Sequence, residues 1–163
     1  MMSFLLWISC QDKQNESDLA RQEQLRDQLE LYIDSCWNKQ NLEVLGKLTT
    51  SGFIRKLNGI RVAKSSNEME AHMKVFFNAF PDLEISLEEI DIKGNNIFLI
   101  WQSTGTNTGV YGEVGATGKK VKINGMSKLY FDEVGQMYRE YVYFNELDLL
   151  QQLGYSLSFP NLE

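Results

Sequence analysis

The stretch Ile97–Gly118, IFLIWQSTGTNTGVYGEVGATG, decides how this chain folds. Its first residues, IFLIW, form an apolar run of β-branched and aromatic side chains, which predicts a buried strand. Five glycines follow between Gly105 and Gly118. Glycine at this density indicates a backbone that turns sharply or approaches another group closely. Helical patterns dominate before this stretch and strand patterns after it, so we expect a pocket between a helical layer and a sheet.

Composition limits the classes of function. At 163 residues, with 43% hydrophobic and 12% aromatic residues, the chain is long enough for one ordered domain with a substantial core. Its formal net charge of −6 argues against a nucleic-acid partner, because phosphate binding needs a basic face. One histidine and two cysteines distant in sequence provide no cluster of metal ligands. We therefore expect no metal and no cofactor.

The first ten residues, MMSFLLWISC, are apolar and precede a polar stretch. They resemble the end of a bacterial lipoprotein signal, in which Cys10 would carry the lipid. The segment lacks basic residues, is shorter than a complete signal, and is too short to span a bilayer. We expect residues 1–16 to be a signal-like segment and linker. The expected location is then the bacterial cell envelope, with contact to the membrane only through Cys10, and the alternative is a cytoplasmic protein with an ordinary terminus.

Helices are predicted in the first half of the chain. Apolar residues three and four positions apart predict the first helix from Ser17 to about Lys39, with Ser17 or Asp18 as its cap. A short second helix is predicted to open at Asn41. A third is predicted to start at a capping Asn67 and to end at Pro81.

The second half predicts a sheet. Strands are predicted over residues 83–92, 97–107, 119–131 and 136–145, and apolar and polar residues alternate over 83–92 and 119–131. The alternation changes phase at Glu88–Glu89, which predicts a β-bulge with both carboxylates exposed. Asn58–Gly59 predicts a tight hairpin turn between two earlier strands. A short helix is predicted over residues 146–153, followed by a loose tail over 156–163. This is an α+β pattern, in which helices on one face of a bent sheet leave a cone-shaped pocket.

Three motifs, in this order, resemble the SnoaL-like polyketide and ester cyclases, members of the nuclear-transport-factor-2-like superfamily. They are FFNAFPDL at residues 76–83, GTNTGVYGEVGATGKKV at 105–121 and GQMYREYVYFNELDLLQQLG at 135–154. The resemblance covers residues 18–155, so the expected SnoaL-like domain spans residues 17–155. It implies a cone-shaped fold with N-terminal helices packed on a bent antiparallel sheet.

The resemblance also bears on function. In catalytic members of this family, a histidine in the glycine-loop motif and an aspartate at the end of the last strand transfer protons during aldol ring closure. The matching positions here are Asn107 and Asn145, and asparagine cannot titrate. We therefore expect a domain that binds a small, mostly apolar molecule, with the two asparagines orienting its carbonyl or hydroxyl group. One alternative is a cyclase, isomerase or hydrolase that uses a relocated acid such as Asp148, and another is a homodimer formed through the outer sheet face.

Aromatic side chains are expected to line the pocket. The candidates are Trp37, Phe53, Phe76, Trp101, Tyr111, Tyr141 and Tyr143. Tyr141 and Tyr143 share a strand face with Asn145, and Trp101 shares one with Asn107. If both faces point into the cone, the two asparagines meet there. The only histidine, His72, is expected on the third helix near Glu68 and Phe76, as a residue at the surface or at the edge of the core rather than as a base.

Overall fold

The computed structural model describes residues 5–113 and 115–158, with side chains from Asn15 onward. It has the predicted α+β architecture. In chain order the elements are α1 (Leu5–Glu30), a π-helix (Leu31–Asn38), a 3₁₀ turn (Leu42–Val44), α2 (Leu45–Leu48), β1 (Thr49–Leu57), β2 (Ile60–Ala63), α3 (Ser66–Ala79), β3 (Glu84–Lys93), β4 (Asn96–Thr106), β5 (Lys120–Phe131), β6 (Met137–Phe144) and α4 (Glu146–Leu153).

The strands form one sheet in the order β2-β1-β6-β5-β4-β3. Strands β3 to β6 make the predicted antiparallel meander. The predicted hairpin joins β1 to β2 through Asn58 and Gly59, whose φ angles are 50° and 85°. The sheet is not antiparallel throughout, because β1 pairs in parallel with β6. Local sequence patterns do not show this pairing, since β2 to β5 lie between its two strands in the chain.

The predicted bulge in β3 is confirmed. The register against β4 shifts between Leu87 and Glu89, and Glu88 and Glu89 are both exposed. The extra residue keeps apolar side chains on the inner face on both sides of the shift, with Ile85 opposite Ser103 and Ile90 opposite Leu99. The bulge therefore allows one strand to cover the core along its whole length.

Two predicted helix caps are wrong. Helix α1 begins at Leu5, so Ser17 and Asp18 lie inside it and do not cap it. Helix α3 is capped by Ser65 rather than Asn67, because the Ser65 side chain accepts a hydrogen bond from the Glu68 amide. The predicted helical segment that opens at Asn41 is confirmed, and the Asn41 side chain caps its 3₁₀ turn.

The backbone of Cys10 lies within α1, but its side chain is outside the described side chains. Lipidation of Cys10 therefore stays a prediction. Within residues 5–113 and 115–158, no helix has the length and apolarity needed to cross a membrane.

The core lies between the inner face of the sheet and the helices. Three helices each contribute a buried pair of apolar residues four positions apart, so each pair lies on one helix face. These pairs are Leu25 and Leu29, Met69 and Met73, and Leu149 and Leu153.

Candidate functional site

A cavity lies between the inner face of the sheet and the helical layer. Its volume is about 60 Å³, and about 740 Å³ when all the space that opens to solvent is counted. Trp37, Phe76 and Trp101 line it, as expected for three of the aromatic candidates. The remaining wall is largely aliphatic and aromatic, and includes Leu99, Val121, Leu129, Val142 and Phe144. Such a cavity is suited to a small molecule that is mostly apolar.

The π-helix supplies one side of this cavity. Tyr32, Ile33 and Trp37 lie on it and all three line the cavity. Wide helical turns of this kind are rare and are frequently found at functional sites. The sequence predicted a helix here but not this widening.

Tyr32, Arg55 and Glu140 form a buried polar cluster in the cavity wall. Arg55 Nη1 and Glu140 Oε2 form an ion pair, and the two side chains are 6% and 4% exposed. The Tyr32 hydroxyl donates to Glu140 Oε2 at 2.8 Å and accepts from Arg55 Nη1 at 3.1 Å. The Trp37 ring covers the guanidinium, with 5.1 Å between the ring centroid and the Arg55 Cζ atom. The low dielectric of the surroundings strengthens these interactions.

Burial and the Glu140 charge hold the pKa of Tyr32 well above its ordinary value, so the phenol stays protonated. Sequence reasoning missed this cluster because its members come from three distant parts of the chain. The one local signal is Glu140, a charged residue in strand phase with the apolar Val142 and Phe144.

Asn107 is fully buried and is bonded within the protein. Its Nδ2 donates to the Ala79 carbonyl at 3.2 Å and to the Gly109 carbonyl at 2.8 Å. Its Oδ1 accepts from the Thr117 amide at 2.8 Å and from Thr117 Oγ1 at 3.0 Å. Both amide hydrogens and the carbonyl oxygen are thus occupied. Asn107 is not among the residues that line the cavity.

Asn145 is exposed and caps α4, where its Oδ1 accepts from the Asp148 amide at 3.1 Å. Asp148 accepts from Gln152 Nε2 at 3.0 Å along the same helix. Neither residue lines the cavity. The expected meeting of Asn107 and Asn145 in the cone is therefore wrong.

The physical reason is the phase of β6. Glu140, Val142 and Phe144 point into the cavity, so the alternation of strand side chains places Tyr141 and Tyr143 on the outer face. There the Tyr141 ring packs against Tyr130, with 5.5 Å between the centroids. The expectation that Tyr141 and Tyr143 line the cone is wrong.

Two other aromatic candidates also lie outside the cavity lining. Phe53 is fully buried in the core. Tyr111, in the glycine loop, packs on Phe76 and Phe80 with centroid distances of 5.8 and 5.7 Å. It lines an adjoining side pocket, and burial raises the pKa of Tyr111 to about 12.

His72 lines the same side pocket. Its ring packs edge-on against Phe76 at 5.2 Å, the neighbour expected from helical spacing. Its Nε2 is buried and has no hydrogen-bond partner among the described residues. Burial, with a smaller contribution from the Arg55 charge, lowers the pKa of His72 to about 4. Within the described part of the chain, no group of three or more histidine, cysteine, aspartate or glutamate residues could hold a metal ion.

The sequence model of the SnoaL-like polyketide cyclases matches residues 27–153. This chain belongs to the SnoaL-like polyketide cyclase family. Among curated protein sequences, none matches this SnoaL-like protein significantly.

Solved structures support the same fold. A protein described as a SnoaL-like polyketide cyclase from Jannaschia sp. CCS1 is 20% identical, with a TM-score of 0.76 over 83% of this chain and 94% of that one. AclR from Streptomyces galilaeus, described as a hydroxylase, is 26% identical, with a TM-score of 0.69 over 79% and 95%. IdmH from Streptomyces antibioticus, described as a polyketide cyclase, is 16% identical, with a TM-score of 0.69 over 80% and 99%.

In this SnoaL-like protein, two of the three sequence motifs are joined physically. The Thr106 amide and Thr106 Oγ1 donate to the two carboxylate oxygens of Asp82, each at 2.6 Å. These hydrogen bonds lower the pKa of Asp82. Together with the bonds between Asn107 and Ala79, they fasten the glycine loop to the segment that follows α3.

Proposed function

We propose that this SnoaL-like protein binds a small, mostly apolar molecule that bears a carbonyl or hydroxyl group, and that it binds this molecule in the cone cavity. The observation that supports this function is a largely apolar wall that contains a buried polar cluster, Tyr32–Arg55–Glu140. Burial of apolar surface supplies affinity at about 25 cal/mol per Å², and a few fixed polar groups set orientation. Asn107 and Asn145, at the family's catalytic positions, form hydrogen bonds within the glycine loop and at the start of α4. The polar group of the ligand therefore binds to the cluster and not to these asparagines.

Native mass spectrometry of the protein purified gently from its own cells tests this proposal. The expected spectrum shows a reproducible small-molecule adduct that is lost in Trp101→Ala, which removes an indole from the cavity wall. Tyr143→Ala, on the outer face and 49% exposed, is the matched control and keeps the adduct. A clean unliganded mass in repeated preparations, with nothing in the solvent extract, contradicts the proposal.

A cyclase-type enzyme is the second candidate, and the position of Glu140 favours it. Aldol ring closure needs a base beside the substrate, and Glu140 is a carboxylate in the wall of the cavity. Asp148, the acid expected from sequence, does not line the cavity. A suitable probe is 2,6-heptanedione, which closes to 3-methylcyclohex-2-enone with loss of water. Turnover that stops in Glu140→Gln and persists in Asp148→Asn supports this candidate, and a rate equal to the uncatalysed rate rejects it.

We also propose that the outer face of the sheet forms a homodimer. Three apolar side chains on this face, Phe98, Met126 and Tyr143, are 44%, 55% and 49% exposed. Acidic residues flank them on β3 and basic residues on β1 and β6, so two copies related by a two-fold axis can match opposite charges. These flanking residues are Glu89 and Asp91 on one side and Lys56 and Arg139 on the other. Sedimentation that shows only monomer at micromolar concentration, or a dimer that persists in Met126→Lys, contradicts this proposal.

The envelope location remains a separate proposal that depends on Cys10. An intact mass that begins at Cys10 and carries acyl chains is the expected result for protein from its own cells. An unmodified chain that retains residues 1–9 supports the cytoplasmic alternative.

A further inference from the structure

The polar cluster in the cavity wall contains a buried hydrogen-bond donor that has no partner in the described part of the chain. Arg55 lines the cavity and is 5% exposed, and its Nε is buried with no partner among the described residues. A buried N–H group without an acceptor is unfavourable, and the rest of this guanidinium is held in place by Glu140, Tyr32 and the Trp37 ring. An oxygen of a bound molecule that accepts from Arg55 Nε would satisfy this donor.

The charge of Arg55, in contrast, is already balanced. Among the described residues that line the cavity, Arg55 and Glu140 are the only charged ones, and they form an ion pair. Tyr32 is neutral because its pKa is raised, and the nearby His72 is neutral above its lowered pKa of about 4. The cavity wall therefore carries no net charge, and it contains the unpartnered Arg55 Nε–H group.

An unpartnered donor in an electrically neutral wall favours an uncharged carbonyl oxygen over a carboxylate oxygen. A carboxylate would bring an unbalanced charge into a largely apolar cavity, which is strongly unfavourable. An uncharged carbonyl group needs no counter-charge and can accept a hydrogen bond from Arg55 Nε.

We propose that Glu140 is a specificity-determining residue, which neutralises Arg55 so that the cavity selects uncharged carbonyl compounds over carboxylates, with Arg55 Nε donating to the carbonyl oxygen. This inference rests on the proposed binding of an apolar molecule in the cone. It predicts that removing the charge of Glu140 exposes a cation that favours carboxylates.

Three one-ring probes test the inference: acetophenone, benzoate and ethylbenzene. Their dissociation constants are measured by NMR titration of the full chain at pH 7.5, where benzoate is ionised. We expect acetophenone to bind ~3- to 10-fold more tightly than ethylbenzene, the factor that one hydrogen bond supplies. We expect benzoate to bind at least about tenfold more weakly than acetophenone. In Glu140→Gln, the order of benzoate and acetophenone reverses.

Two further variants separate the hydrogen bond from Arg55 Nε from a general effect of removing a charge. Arg55→Lys keeps a cation for Glu140 but has no Nε, so acetophenone should fall to the affinity of ethylbenzene. Glu23→Gln removes an exposed carboxylate on α1 and should change no affinity. If Glu140→Gln does not fold, the wild-type ranking and Arg55→Lys decide the outcome.

The possible failures are distinguishable. If none of the probes binds, the proposed function and the inference are both wrong. If ethylbenzene binds but benzoate binds as tightly as acetophenone, apolar binding stands and the inference is overturned. A preference for acetophenone that a folded Glu140→Gln variant retains also overturns the role of Glu140.

Discussion

Asn107 uses its side-chain amide within the protein, bonded to Ala79, Gly109 and Thr117. At the scale of single residues, we expect Asn107→Ala to lower the free energy of unfolding by about 2–4 kcal/mol, because it leaves buried polar groups without partners. Urea denaturation measures this change. Asn145→Ala removes only a helix cap and should cost about 1 kcal/mol. An Asn107→Ala protein of full stability that loses ligand binding would contradict the structural role.

The position of the Trp101 ring depends on the absence of a side chain at Gly125. A Cβ atom at Gly125 would lie 2.2 Å from Cζ2 of Trp101, whose indole N–H donates to Ser127 Oγ at 3.0 Å. We expect Gly125→Ala to displace the indole from the cavity wall, weakening probe binding at least about tenfold. Tryptophan fluorescence and probe titration measure the effect.

The matched control is Gly46→Ala on α2, where nothing lies within 4 Å of the added atom. This change should leave binding intact and stabilise the helix by about 0.5–1 kcal/mol. Equal binding by the Gly125→Ala and Gly46→Ala proteins would show that the position of Trp101 does not matter.

At the scale of elements, the glycine loop depends on its attachment beyond α3. Asp82 accepts both hydrogen bonds from Thr106, so Asp82→Ala should release the first part of the loop. We expect amide hydrogen exchange at Thr106, Thr108 and Gly109 to become faster by about tenfold or more. Asp91→Ala, on the outer face of β3, is the control. Unchanged exchange in Asp82→Ala would mean that the backbone bonds to Ala79 suffice.

The sequence predicted individual helices, strands and turns better than it predicted the site. Local patterns predicted the hairpin at Asn58–Gly59, the bulge near Glu88 and the helix over residues 146–153, because turn residues and alternation act over a few positions. They did not predict the inward phase of Glu140. Alternation does not show which face of a strand points into the core when both faces carry aromatic residues, as Tyr143 and Phe144 do on β6.

At the scale of the whole molecule, His72 makes stability depend on pH. Its pKa is about 4 in the folded protein and 6.5 in its ordinary state, so the unfolded chain binds the proton more tightly. The contribution of neutral His72 is complete above pH 6.5 and is lost as the pH falls toward 4. Relative to a His72→Phe protein, we expect wild type to lose about 2–3 kcal/mol between pH 7.5 and pH 4.5.

Chemical denaturation at several pH values measures this difference, and the subtraction removes the titration of shared carboxylates. Parallel curves for the two proteins would show that His72 has the same pKa folded and unfolded.

The candidate site could be predicted only in part, and whole-molecule topology is the reason. The sequence pattern and the family resemblance both predicted a cone, and three of the aromatic candidates, Trp37, Phe76 and Trp101, line it. The Tyr32–Arg55–Glu140 cluster depends on β6 lying beside β1, a pairing between residues up to 88 positions apart, as for Thr49 and Met137. No short stretch of sequence contains both β1 and β6.

That pairing also sets the order of events during synthesis. β6 is the last strand to leave the ribosome, and it inserts between β1 and β5 rather than adding at an edge of the sheet. Until it arrives, the nascent chain holds Arg55 without Glu140 and two strand edges without partners. The cavity and the charge balance within it therefore form only after β6 has been synthesised. We expect the two unpartnered strand edges to favour aggregation of the nascent chain until then.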